Sequence, residues 1–162
     1  QIEVISYEGA GLADHAPGVY SLMTVASVRE FSGMGMYLGF ACALLVAFAL
    51  IHAHADVDAD TLLLAGLLLA AGLPLILPQM NARSLYLAGM LAFACAGSAR
   101  RLAIAGVLEL ISLCSYMEAI FNCTIIPMNV LSLMAIACAT VILLELLDKL
   151  GIKGALSRES NA

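Results

Sequence analysis

The chain has 162 residues, of which 63% are hydrophobic and only 12% are charged, and its mean hydropathy is +1.02. The composition predicts an integral membrane protein, because this small number of charged side chains cannot solvate the surface of a water-soluble domain. The net charge of -5 and the lack of a basic stripe argue against nucleic-acid binding.

Apolar runs separated by short polar turns predict an all-α, polytopic membrane bundle of about five transmembrane helices. Residues 1–32 are expected to form an extracytoplasmic loop, because this stretch is polar and interrupted by glycine and proline. Residues 33–147 should form the five-helix region and residues 148–162 a cytosolic tail. The expected spans are 33–51, 61–77, 87–97, 102–121 and 125–147. The third is short and reaches about 17 residues only if its flanks join it.

The distribution of lysine and arginine predicts an outside N-terminus and a cytosolic C-terminus. In that orientation five basic residues are cytosolic and two are external, which is the usual positive-inside bias. The cytosolic ones are Arg100, Arg101, Lys149, Lys153 and Arg158, and the external ones are Arg29 and Arg83. With four spans, Arg100 and Arg101 would no longer share a side with the C-terminal lysines. We expect a bacterial cytoplasmic membrane rather than the endoplasmic reticulum.

The five cysteines do not form the pattern of a disulfide framework. Cys42, Cys95, Cys114 and Cys138 lie inside apolar runs, where cysteine behaves as a small hydrophobic residue.

Alternating polar residues between the first two spans form a candidate metal site. His52, His54, Asp56, Asp58 and Asp60 would project to one side of an extended hairpin, an arrangement that suits a divalent ion. The alternative is a solvated cytosolic turn in which Asp58 or Asp60 caps the next helix. We favour the capped turn, so no cofactor is expected in this chain and the metal stays an alternative.

Glu109 is an acidic residue about 12 Å into the membrane, where a carboxylate is energetically costly. Ser112 and Tyr116 follow at i+3 and i+7, so the three residues form a polar stripe on an apolar helix. A proton relay or cation site is one interpretation. We favour a protonated glutamate that hydrogen-bonds to a neighbouring helix. The stripe is therefore a predicted polar face for a partner helix, on another membrane chain or a missing N-terminal half.

The connection after the second span, from Pro78 to Tyr86, places Arg83 at the outer membrane surface. A guanidinium group there can hold a lipid phosphate through two parallel hydrogen bonds. An ordinary interfacial anchor is the alternative, and the physical chemistry does not choose between them.

The sequence L-P-Q-M-N-A-R-S-L-Y at residues 77–86 resembles the L-P-x-M-H-E-R-[YF]-x-[YF] signature of GT-C glycosyltransferases of the mannosyltransferase-like branch. Residues 15–20, H-A-P-G-V-Y, are similar to an outer-loop motif N-A-P-N-[LIV]-[YW] of that family, and residues 110–116 match L-x-S-x-x-S-Y. The order of spans between these motifs also agrees. The resemblance implies a sugar donor carried on a polyprenyl phosphate, with Arg83, Asn81 and Tyr86 holding the donor.

Departures from the family pattern limit what this chain is expected to do alone. Asn81 and Ala82 replace the histidine and glutamate of the signature. The catalytic carboxylate of the family lies in an N-terminal half that has no counterpart here, so the catalytic residues stay unidentified. We therefore expect the C-terminal part, or a split subunit, of a membrane glycosyltransferase. The alternative is a small non-enzymatic membrane subunit that packs against partner helices.

Overall fold

The computed structural model of the chain describes residues 17–22, 28–53, 57–78, 80, 84–121 and 125–151. These residues form a short 3-10 helix, Val19–Leu22, and five α-helices, with no strand in the described ranges. The α-helices are α1 Val28–Ile51, α2 Ala59–Ile76, α3 Ser84–Ala94, α4 Ala99–Phe121 and α5 Met128–Lys149. The prediction of an all-α membrane bundle is confirmed, because α1, α2, α4 and α5 each contain a segment long and apolar enough to cross a bilayer.

Two helix boundaries differ from the sequence-based prediction. The first helix already begins at Val28, five residues before the expected span. Helix α3 has only 11 residues and does not continue past Ala94, because residues 95–98 are not helical. Gly97, which favours non-helical backbone, lies in this break.

Helix α2 is the centre of the bundle. It packs against α1, α3 and α5, while α4 closes the bundle by packing against α3 and α5. Among the described elements α1 contacts only α2. Their contact is close at Gly39, where an added Cβ would lie 3.1 Å from a Leu77 methyl carbon. Small residues at such positions let two membrane helices approach closely.

The core consists of two apolar clusters, one towards each end of the bundle. One surrounds Leu64, Leu108 and Ile142. The second, which we call the outer cluster, consists of Leu75, Leu85, Ile111, Cys114, Leu131 and Ala135. We call the end of the bundle beyond the outer cluster the outer end and the opposite end the inner end, following the expected orientation.

Large apolar side chains also cover the outside of the bundle. Tyr37, Phe40, Leu45, Leu113 and Ile120 are all more than half exposed. A surface of this kind has lipid as its natural solvent, which agrees with bilayer contact around the whole bundle.

Candidate functional sites at the two ends of the bundle

A cluster of charged side chains ties the helices together at the inner end. The Arg101 guanidinium donates two hydrogen bonds to Asp60, at 2.8 and 3.1 Å, and one to Glu145 at 2.6 Å. It also donates to the carbonyl of Cys95, just after α3, at 3.4 Å. Lys149 forms a second ion pair with Asp60. One arginine therefore links α2, α4 and α5 and the end of α3.

The positions of these charges follow from the helix ends. Asp60 lies in the first turn of α2 and Lys149 in the last turn of α5, where each complements the helix dipole. Arg101 lies in the first turn of α4 and its side chain is only 13% exposed, so solvent screens its bonds weakly. Because the two positive and two negative charges balance, the cluster offers no net charge to a ligand.

The ion pairs of Asp60 also indicate how many times the chain passes from one end of the bundle to the other. Asp60, Arg101 and Lys149 meet at one end of the bundle, as five alternating passes require. A four-span path without α3 would put the starts of α2 and α4 at opposite ends and would separate Asp60 from Arg101, which are in contact. The side of the membrane on which this end lies stays a prediction.

The last residues before α2 form the predicted helix cap. Asp58 is the N-cap of α2 and accepts from the Ala59 amide at 2.7 Å. The less favoured interpretation, an extended hairpin through Asp60, does not hold at that residue, because the helix begins at Ala59 and Asp60 pairs with Arg101. His52 stacks on Phe48, with ring centres 4.0 Å apart. His54 and Asp56 lie outside the described residues, and those that are described contain no cluster of metal-ligating side chains.

At the outer end, the 3-10 helix segment lies against α2 and α5. Pro17 and Gly18 are buried, and an added Cβ on Gly18 would lie 3.3 Å from the Leu75 carbonyl oxygen. Gly18 belongs to the first motif of the resemblance, and Leu75 comes two residues before the second. The first motif segment therefore contacts the end of α2 that leads into the second.

Helix α3 begins at a deeper level of the bundle than the level at which α2 ends. Arg101 holds the start of α2 and the carbonyl after α3 at one level. From there the 18 residues of α2 rise about 27 Å and the 11 residues of α3 about 17 Å. Ser84 therefore begins α3 about 10 Å deeper than α2 ends. Polar backbone at that depth must be covered by protein or face water.

The residues predicted to hold a lipid phosphate are described only in part. Arg83 and Asn81 lie outside the described residues. Tyr86 lies in the first turn of α3 with 53% of its surface exposed, while Pro78 and Met80 are half-buried. The role of this set as a donor site stays a prediction.

The three residues of the polar stripe on α4 differ in how deeply they are buried. Glu109 is half-buried and lies against α3 at Gly89, where an added Cβ would be 2.8 Å from the carboxyl carbon. Ser112 is buried and Tyr116 half-buried. The helix that Glu109 faces is therefore α3 of the same chain, and a contact with another chain stays a prediction.

Two acidic groups were not singled out from the sequence. One carboxyl oxygen each of Glu118 and Glu145 is buried, with no hydrogen-bond partner in the described part of the chain. Glu118 follows Cys114 and Ile111 at helical spacing, so it lies about one turn beyond the outer cluster.

The four described cysteines, Cys42, Cys95, Cys114 and Cys138, are free thiols, as the sequence predicts. Burial raises the pKa of the Cys95 thiol, and the positive charge of Arg101 offsets part of this effect. Such a thiol is unreactive while the inner end stays closed.

Comparison of the chain with models of protein families, with curated proteins and with solved structures finds no match in any of the three.

Proposed function

We propose that the outer end of this bundle binds the phosphate of a lipid-linked sugar donor. The chain would then be the C-terminal part, or a split subunit, of a membrane glycosyltransferase in a bacterial cytoplasmic membrane. The observation that carries the proposal is the contact of Gly18 with the backbone of Pro74 and Leu75. Gly18 belongs to one segment that resembles the GT-C family, and Leu75 comes two residues before the other.

The depth at which α3 begins supports the same end. The sequence that joins α2 to α3 is polar, and in the proposed orientation it lies within reach of the headgroups and phosphates of lipids. The tyrosine ring of Tyr86, more than half exposed beside it, suits the membrane interface. At the inner end, by contrast, the arginine is already bound by two carboxylates and has little capacity left for a phosphate.

The proposed chemistry is donor binding rather than complete catalysis. In the proposed role, Arg83 holds the phosphate through two hydrogen bonds, with Asn81 and Tyr86 beside it. The base that activates the acceptor comes from a partner chain or a preceding half. This division follows from the resemblance, because the carboxylate of the family belongs to a part without a counterpart here.

The test measures binding of a polyprenyl phosphate to the full chain in nanodiscs, with the uncharged polyprenol as the comparison ligand. Arg83→Lys should weaken binding about tenfold, because an ammonium group does not reproduce the planar two-bond contact. Arg83→Ala should weaken it further. The matched controls Arg100→Lys and Arg100→Ala, at the exposed inner end of α4, should leave binding unchanged.

Equal affinity of wild type and Arg83→Lys would refute the phosphate site and leave Arg83 as an interfacial anchor, since lysine can also extend to the headgroups. Binding of polyprenol as tight as that of the phosphate would refute it as well.

The second candidate function is a non-enzymatic membrane subunit that packs against partner helices. Its support is the Glu109 carboxyl, which lies mid-helix without a hydrogen bond to another described residue. An intramembrane polar group of this kind commonly joins helices.

A further inference from the structure

Glu118 occupies the outer end of the contact between α4 and α5. Ile111 and Cys114 precede it at helical spacing, and they belong to the outer cluster together with Leu131 and Ala135 of α5. Because α4 and α5 run in opposite directions, Glu118 is opposite the first turn of α5. A carboxyl group therefore follows the apolar side chains of this contact at the outer end.

The hydrogen-bonding capacity of the Glu118 carboxyl is not used within the described part of the chain. One of its oxygens is buried there without a partner, although the residue as a whole is half-buried. The hydroxyls of Ser115 and Ser132 both donate to carbonyl groups of their own helices. A carboxyl group has acceptor oxygens in either protonation state, and leaving one without a donor costs free energy. A donor from outside the described bundle would therefore stabilise it.

Glu118 lies beyond the level at which α3 begins. Glu109 contacts Gly89, so these two residues mark one level on α4 and α3. Towards the outer end, Ser84 is five residues, or about 8 Å, from Gly89, whereas Glu118 is nine residues, or about 14 Å, from Glu109. Glu118 is therefore about 6 Å nearer the outer surface than the start of α3.

We propose that Glu118 accepts hydrogen bonds from hydroxyl groups of the sugar that the lipid-linked donor carries. This inference rests on the proposed function and adds a sugar-binding residue to it. Arg83, the proposed ligand of the phosphate, directly precedes Ser84 in the sequence. In a donor of this class the sugar is joined to the phosphate, so one sugar ring can reach from the level of Ser84 to that of Glu118.

Sugar hydroxyls suit the Glu118 carboxyl because they are O–H donors. Two neighbouring hydroxyls of one ring can donate to the two oxygens of a single carboxyl. A phosphate group presents mainly acceptor oxygens, which cannot satisfy another acceptor. Glu118 therefore distinguishes a sugar-bearing lipid phosphate from a bare one, whereas Arg83 binds both. In this role Glu118 determines specificity and does not need to take part in the transfer reaction.

The test measures the affinity of the full chain in nanodiscs for two probes, polyprenyl-phosphate-mannose and bare polyprenyl phosphate. The variants are Glu118→Leu and Glu118→Gln. The matched control is Glu109→Leu, because Glu109 is on the same helix but two and a half turns away and faces the opposite side. Glu118→Leu replaces an unpaired polar group by an apolar one, so it should be at least as stable as wild type. Thermal unfolding checks this point.

Wild type should bind the mannose-bearing probe about tenfold more tightly than the bare phosphate. Glu118→Leu should abolish this preference, while its affinity for the bare phosphate should stay within about twofold of wild type. Glu118→Gln should keep part of the preference, because the amide oxygen still accepts a hydrogen bond. Glu109→Leu should keep all of it.

Equal affinity of wild type for the two probes would overturn the role of Glu118, and so would the same preference in wild type and Glu118→Leu. In either case the phosphate site can still stand, since Arg83→Lys would weaken binding of both probes. If Arg83→Lys binds both probes as tightly as wild type, the phosphate site itself is refuted, and the role of Glu118 is refuted with it.

Discussion

At the inner end, four charged side chains pair with one another, whereas the described residues at the outer end pack mainly through apolar side chains. The inner cluster fixes the level of α2, α3 and α4 through the single guanidinium of Arg101. The outer end instead has a helix, α3, that begins well inside the bundle, a buried chain segment at Gly18, and one Glu118 oxygen without a partner in the described ranges. We infer that the inner end stabilises the fold, whereas the outer end is where we propose that a ligand binds.

The largest effect should come from the inner end. Arg101→Ala leaves Glu145 without its donor and Asp60 with only Lys149, so the free energy of unfolding should fall by about 3 kcal/mol. Unfolding in mixed detergent micelles measures this loss. Arg100→Ala, one residue away and exposed, should change it by less than about 0.5 kcal/mol. Equal losses for the two variants would show that the cluster does not hold the helices.

The next effect concerns the contact between α3 and α4. Gly89→Ala pushes against the Glu109 carboxyl and should destabilise the protein by about 1–3 kcal/mol. Gly106→Ala in α4, where an added Cβ meets nothing within 4 Å, should not destabilise it. The double variant Gly89→Ala/Glu109→Ala should cost less than the sum of the two single variants, because the clash is removed. Additive losses would contradict the contact.

Cys95 reports on closure of the inner end. Its burial and its raised pKa keep the thiolate fraction low at neutral pH. Asp60→Asn removes an ion-pair partner of Arg101, so alkylation of Cys95 should accelerate roughly tenfold if opening becomes easier by about 1.4 kcal/mol. The rate is measured in a chain whose other cysteines are serine. An unchanged alkylation rate would show that the accessibility of Cys95 does not depend on the charged cluster.

The smallest effect should come from Gly18. An added Cβ would lie 3.3 Å from the Leu75 carbonyl oxygen, a contact that a shift of a few tenths of an ångström relieves. Gly18→Ala should therefore cost less than about 1 kcal/mol. It should nevertheless weaken polyprenyl-phosphate binding more than Gly72→Ala, whose added Cβ meets nothing within 4 Å. The same affinity for both variants would show that the first motif does not contribute to the proposed binding site.

The helices of the bundle follow from the sequence more readily than its ends do. Long apolar runs predicted four of the spans, because the bilayer sets a minimum length for an uncharged helix. The early end of α3 at Ala94 was missed, since a span was assumed to extend until it crossed the membrane. An apolar sequence alone does not show where neighbouring helices allow a helix to end before it has crossed the membrane.

The candidate sites show the same limit. The capped turn at Asp58 was predictable, because a cap depends on adjacent residues. The pairing of Arg101 with Asp60 and Glu145 was not, since those partners are 41 and 44 residues away and only the packing of the helices brings them together. Glu109 was recognised as exceptional from its depth, but its support by Gly89 required the register between α3 and α4.

The most direct measurement maps where a lipid-linked phosphate binds. A photoreactive polyprenyl phosphate is cross-linked to the full chain in nanodiscs, and the modified peptides are identified by mass spectrometry. Adducts should concentrate at the outer end, around residues 17–22 and 77–86, and should be displaced by unlabelled polyprenyl phosphate but not by polyprenol. Adducts around Arg101 and Lys149, or an even distribution along the lipid-facing helices that polyprenol also displaces, would contradict an outer-end phosphate site.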